Sequence, residues 1–299
     1  MFKGWRLVVL VLVLASAHPA KSAQRFWDTA HFWGFLCGGQ FSNVDCWGAG
    51  GIPAPGNVDI ATWNFAHATT YSVLFGASVT NQKARIRTDD ILWDLGGKTY
   101  TLTQDNSVTD PSLAIGISNG ETGRLSVRNG SVNSARTVLA INGSSNGFLT
   151  LNGSATTFNA GTGLTVGYWE YSRAGVSVLG GSSLTSSGTA AIGFHATASG
   201  SVTVGGSGSN WIASDDVNVG SSSGGSGKLA VHSGARMRAG AVTVWNGASS
   251  IDVTANGGGT VNVIGQLGLQ AGARATSLFT IIDKAVVLIG GGAGGILSG

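Results

Sequence analysis

Charge is what this sequence has least of. Lys, Arg, Asp and Glu together make 10% of its 299 residues, against roughly 25% in a typical soluble protein. Proline is also scarce, at 4 residues, which excludes collagen and Pro-rich linkers. The two cysteines, Cys37 and Cys46, can make one bridge at most, and nothing around them has the four-ligand spacing of a zinc site. No apolar run reaches the roughly 20 residues of a membrane span, so no transmembrane segment is expected in the mature chain. Helical periodicity is missing from the second half. What is abundant is glycine, at 49 residues, together with Ser, Thr, Val and Leu. That composition suits many short strands joined by tight turns.

The first 23 residues read as a secretory signal. Lys3 and Arg6 form a positive start, Leu7 to Leu14 is an unbroken apolar run, and Ala15-Ser16-Ala17 or Ala23 offers a cleavage site. The expected address is therefore secreted or cell-surface, with the periplasm as an alternative. Cleavage after Ala23 would remove Lys3, Arg6 and Lys21 from the 17 basic residues and leave them equal to the 14 acidic ones. The mature chain then has no net charge, and no nucleic-acid partner is expected. In an exported chain, Cys37 and Cys46 suggest a disulfide closing a small loop; two free thiols are the other reading.

The strongest signal is a repeat of about 25 residues. One pattern recurs as Leu113-Ala114-Ile115, Leu139-Ala140-Ile141, Leu164-Thr165-Val166, Ala190-Ala191-Ile192, Val217-Asn218-Val219 and Val242-Thr243-Val244. Glycine follows in four of the six units: Gly116, Gly167, Gly193 and Gly220. A second pattern lies about ten residues on, from Leu125-Ser126-Val127 through Leu149-Thr150-Leu151, Val176-Ser177-Val178, Val202-Thr203-Val204 and Leu229-Ala230-Val231 to Ile251-Asp252-Val253. Its apolar–polar alternation is that of a half-buried strand. Turn residues come next, as in Asn129-Gly130, Asn152-Gly153 and Gly180-Gly181. Whole two-strand units recurring in register argue for stacking, because a single unit cannot bury its own apolar face. The expected fold is an all-β, right-handed parallel β-helix (β-solenoid) of about six coils. Val178, Val204 and Val231 should stack inward, with Ser177, Thr203 and Ala230 facing out.

Residues 24–111 are different, being rich in aromatics such as Phe26, Trp27, Phe32, Trp33, Phe41, Trp47 and Trp63. A solenoid's first coil exposes an apolar end and an unpaired edge, so this segment reads as an N-terminal cap with irregular first coils. The solenoid repeats follow over 112–265. Residues 266–299 read as a C-terminal strand and a Gly-rich tail.

These repeats resemble the exported bacterial repeat shared by type V secretion (autotransporter) passengers and PEP-CTERM-associated proteins. The resemblance rests on units such as Ala191-Ile192-Gly193 with Gly200-Ser201-Val202-Thr203-Val204 and Asn210-Trp211, and on Val217-Asn218-Val219-Gly220 with Leu229-Ala230-Val231. Upstream, Phe41-Ser42-Asn43, Trp47, Pro53, Pro55-Gly56 and Asp94-Leu95-Gly96-Gly97-Lys98-Thr99-Tyr100 look like the segment that often precedes it. It covers roughly residues 40–265, the passenger-like part only: no terminal β-barrel pattern and no Pro-Glu-Pro sorting motif accompany it. The resemblance implies an extracellular or cell-surface, adhesin-like β-helix, and carries no catalytic residues to transfer.

The chemistry-bearing residues do not assemble into a reaction. Glycoside hydrolysis usually needs two facing carboxylates, and the repeats offer only Glu121, Glu170, Asp215, Asp216, Asp252 and Asp283. Asp215 and Asp216 are adjacent and read as a polar turn. Glu170, with Arg173 nearby, lies in Tyr168-Trp169-Glu170-Tyr171, a break in the repeat that reads as a protruding loop or as part of a glycan-contacting patch. His31, His67, His195 and His232 show no metal-binding spacing. No catalytic, cofactor-binding or metal-binding residue and no cofactor are expected. The aromatics Trp27, Trp33, Trp47, Trp63 and Trp169 carry two readings, capping and buried packing on one side, a sugar-stacking platform on the other. The chain is thus expected to be a structural or adhesive passenger, not an enzyme, with glycans or cell-surface components as partners. The alternatives are a carbohydrate-active β-helix enzyme (polysaccharide lyase or hydrolase) and a glycan-binding module.

Overall fold

The computed structural model describes residues 24–27, 41–42, 55–64, 70–246, 248–254, 260–263, 267–269, 278–282 and 286–289. Cys37, Cys46, Trp33 and Trp47, the leader and the side chain of Trp27 lie outside the described residues. The described chain is all-β with no helix, and every ladder between its strands is parallel. The strands stack as a β-solenoid of about 7 turns.

Each full coil has three faces. The first is a three-residue strand such as Leu164–Val166, the second a seven-residue strand such as Arg173–Leu179, and the third a four-residue strand such as Ser183–Ser186. Corresponding strands of successive coils pair directly: Val166 with Ile192, Val178 with Val204 and Leu184 with Trp211. In two early coils the second and third faces are one 13-residue strand, Asp90–Leu102 and Thr122–Ser134. These bend at Gly96-Gly97 and Asn129-Gly130, all four residues having positive φ. Stacking also extends upstream of residue 112, for Ile60–Trp63 pairs with Lys83–Ile86, which pairs with Leu113–Ile115.

The expected valine column is present. Val178, Val204 and Val231 are fully buried, while Ser177, Thr203 and Ala230 sit on the half-exposed side of the same strands. The period-2 pleat separates them, and each inward Val, Leu or Ile contributes roughly 1.5–3 kcal/mol of burial. At the N-terminal end the interior is aromatic. Phe41, Trp63, Phe75, Trp93 and Tyr100 are buried together, with neighbouring ring centroids 4.9–6.4 Å apart.

Two features differ from the sequence reading. The third face was not anticipated, because its strands are four residues long and bury just one large side chain each: Phe158, Leu184, Trp211 or Met237. The register of one coil also moves by two residues. Thr137-Val138-Leu139, not Leu139-Ala140-Ile141, pairs with Leu113-Ala114-Ile115. Ala140 therefore occupies the corner that Gly116 fills one coil earlier, at φ 55 against 68. A residue in that left-handed region is strained unless it is glycine.

Several charged groups pair between neighbouring coils. Asp110 pairs with both Lys83 and Arg85, Asp94 with Arg128, and Asp105 with Arg136 at 2.9 Å. Burial alone would raise the Asp94 carboxyl, but hydrogen bonds from Asn129, Arg128 and the Gly96 amide and the Arg128 charge hold it below its ordinary value. Asp110 is likewise raised by burial and lowered further by Lys83, Asn106 and Arg85, with a net downward shift.

Candidate functional site

After the first-face strands from Leu113–Ile115 to Val217–Val219 the chain turns through a short corner loop: 117–121, 141–145, 168–172, 194–198 and 221–225, with Trp245, Asn246, Ala248 and Ser249 in the corresponding place one coil on. Most of these loops close with the same backbone hydrogen bond, from Glu121 N to Ser118 O, Ser145 N to Asn142 O, Ser172 N to Trp169 O, Ala198 N to His195 O and Ser249 N to Asn246 O, at 3.0–3.2 Å. Successive loops are tied to one another as well. Asn142 N donates to Ile117 O at 3.2 Å, and His195 N to Tyr168 O at 3.1 Å. The loops thus form a stacked ridge along one edge of the solenoid, spaced by the roughly 4.8 Å of neighbouring strands.

The middle of this ridge is aromatic. Trp169 is 44% exposed, Tyr171 65% and Phe194 44%; the one other large hydrophobic side chain left exposed among the described residues is Leu74, on a different strand. Four rings of this ridge, Tyr168, Trp169, Phe194 and His195, lie against each other. Tyr168 stacks on Phe194 with centroids 5.6 Å apart and planes 16° apart, and His195 meets Trp169 at 4.5 Å and Tyr168 at 4.9 Å. Tyr168 is half-buried against a satellite cluster of Ala114, Val138 and Ile141 on the outside of the first face. That cluster anchors the group from below and fixes its orientation.

A groove of about 520 Å³ opens beside the aromatics. It is shallow and open to solvent, and it crosses three successive loops: Ser118 and Asn119, then Asn142 to Ser144, then Trp169, Glu170 and Tyr171. The lining holds one carboxylate, Glu170, and no cation. The neighbouring Glu121 does not add a second charge, because its carboxylate pairs with Arg87 and accepts the amides of Ile117 and Ser118.

Of the five tryptophans singled out from sequence, the two with described side chains separate. Trp169 lies in the groove wall. Trp63 is wholly buried between Phe41 and Trp93 and has no face for a ligand, because the interior of the first coils needs its volume. Glu170, Arg173, Asp215 and Asp216 are all exposed. Asp215 and Asp216 lie in the bend before Val217, on a different corner from Glu170, so the structure does not bring these acids together. Among the described residues no three His, Cys, Asp or Glu side chains are grouped to hold a metal ion. No described helix is long and apolar enough to cross a membrane.

Sequence reasoning grouped Trp169 with Tyr168, Glu170 and Tyr171 but missed Phe194, His195, Asn119 and Asn142 as their neighbours. The signal was available in the loops. At one position the coils carry Gly120, Ser144, Tyr171, Thr197 and Gly224, all with positive φ. Aligning loops instead of strands would have set the aromatic coil against its glycine counterparts. No protein-family model, curated protein or solved structure matches this chain.

Proposed function

We propose that this chain is an exported, non-enzymatic β-solenoid passenger of the autotransporter or PEP-CTERM-associated kind, presenting an adhesive surface outside the cytoplasm. The observation that carries the reading is the aromatic corner. Burying an exposed aromatic cluster on a partner gains free energy that burial in the solenoid does not supply, and exposed apolar patches of this kind mark interaction sites. The leader-like start at Lys3 to Ala23 and the low charge support the address. The single carboxylate of the groove supports binding over hydrolysis, which usually uses two.

Two measurements on one preparation test this. Mass spectrometry of protein recovered outside the cytoplasm should find a mature N-terminus between His18 and Gln24; an intact Met1 to Ala23 would refute export by this route. Beads coated with the recovered protein should adhere to surfaces displaying polysaccharide. Beads that adhere no better than albumin-coated ones would remove the adhesive reading.

A further inference from the structure

We propose that the groove beside Trp169 and Tyr171 binds a neutral pyranose oligosaccharide lying along the solenoid axis. This deepens the adhesive reading and rests on it for its biological setting.

Tyr171 is the third residue of a turn, at φ 59. Turns of that form favour glycine or asparagine there, and a bulky residue at positive φ is a strained outlier. The outer coils place Gly120 and Gly224 at the same position and the flanking coils Ser144 and Thr197, all at positive φ, so Tyr171 is the one large side chain held there. Burial offsets little of its strain, since it is 65% exposed. Strain of this sort, held in place by its surroundings, is found where function requires it. Here the Tyr171 amide is fastened to Thr197 Oγ1 of the next coil at 3.1 Å, and the Ser172 hydroxyl to Trp169 O at 2.5 Å.

The groove supplies two kinds of contact. Trp169 and Tyr171 offer aromatic surface, and Trp169 is held by His195 and Tyr168. Aromatic rings with a polar tip suit the C–H faces of a sugar. The same lining holds the side-chain amides of Asn119 and Asn142 and the hydroxyl of Ser144. These are donors and acceptors suited to hydroxyl groups. With one carboxylate and no cation in the lining, an acidic sugar meets repulsion and no counter-charge. The groove spans three successive loops spaced at roughly 4.8 Å per coil, so a short sugar chain along the axis meets Asn119, Asn142 and the Trp169 loop in turn.

The test uses the full exported chain in titration calorimetry with four neutral probes, cellohexaose, chitohexaose, xylohexaose and laminarihexaose, and with trigalacturonate as the anionic control. Binding of at least one neutral probe, weakened roughly ten-fold or more by Trp169→Ala and by Tyr171→Gly, is the expected result. Tyr171→Gly also separates binding from folding: it should raise the melting temperature while binding falls. Silence with all four neutral probes, unchanged binding in both variants, or tighter binding of trigalacturonate would each overturn the proposal. Bead adhesion distinguishes the two readings. Adhesion that survives Trp169→Ala and Tyr171→Gly overturns this site and leaves the adhesive reading standing, including adhesion through a protein partner. Shortening of a bound probe would instead remove the non-enzymatic reading and leave the sugar site in place.

Discussion

Gly116 and Gly120 bracket the same corner loop and both have positive φ, 68 and 77. Their surroundings differ. A Cβ at Gly116 would lie 1.9 Å from the backbone oxygen of Asn146 in the next coil and 2.6 Å from its carbonyl carbon; at Gly120 nothing lies within 4 Å. Alanine at either position meets the left-handed penalty of roughly 1–2 kcal/mol. Reduced freedom of the unfolded chain returns about 0.4–1 kcal/mol. Gly120→Ala should therefore destabilise by about 0.5–1 kcal/mol. Gly116→Ala adds an overlap with backbone that is itself fixed in a ladder, worth roughly 1–3 kcal/mol of overpacking, for a total of about 2–4 kcal/mol. Ala140, at the same corner one coil on, carries a methyl group at φ 55; at Gly116 the Asn146 carbonyl fills the volume a methyl group would need. Urea unfolding followed by circular dichroism measures both variants. Each coil touches only its neighbours, so calorimetric and optical midpoints are compared to check that the array unfolds as a unit. Equal losses for the two variants, or a larger one at Gly120, would refute the stacking that places Asn146 over Gly116.

The remaining expectations follow from the same geometry. Val204→Asp buries an unpaired carboxylate in the valine column and should cost several kcal/mol, whereas Thr203→Asp, on the half-exposed side, should stay within about 0.5 kcal/mol; thermal melts that drop equally would mean the strand faces are exchanged. Tyr171→Gly should stabilise by about 0.5–1 kcal/mol, since it relieves the left-handed penalty at the cost of unfolded-chain entropy; a lowered melting temperature would show that the tyrosine is structural. Asp94 and Asp110 are held below the ordinary carboxylate value. Their contribution is thus complete above the unfolded value of about 3.9 and is lost as pH falls through the lower folded values. Acid titration of the wild type and of Asp94→Asn should converge at low pH and diverge above it; parallel curves would contradict the assignment.

The solenoid was legible because its second face alternates in most coils, from Leu125-Ser126-Val127 to Ile251-Asp252-Val253 with Ala230 the one apolar centre, and all of these pair as aligned. The first face was read two residues out of register at Leu139, because the glycine that marks the corner elsewhere is replaced there by Ala140. Three residues are too few for apolar pattern alone to fix register. The third face, with strands such as Ser183-Leu184-Thr185-Ser186, hardly departs from turn composition. The candidate site was half-visible. Trp169 and Glu170 stood out as a break in the repeat, but Asn119, Asn142 and Phe194 join them only through stacking of coils about 25 residues apart, which no local pattern shows.

The most direct test of this account measures the stacking itself. The column Ser126, Thr150, Ser177, Thr203 and Ala230 pairs residue to residue through successive coils, with every member half-exposed. Spin labels on cysteines introduced pairwise there, with Cys37 and Cys46 replaced by serine, report the distances by pulsed electron resonance. The solenoid predicts a separation that grows by roughly 4.8 Å per coil and reaches about 19 Å between positions 126 and 230. A separation that does not grow with coil number, or one well beyond about 30 Å for that outermost pair, would contradict it.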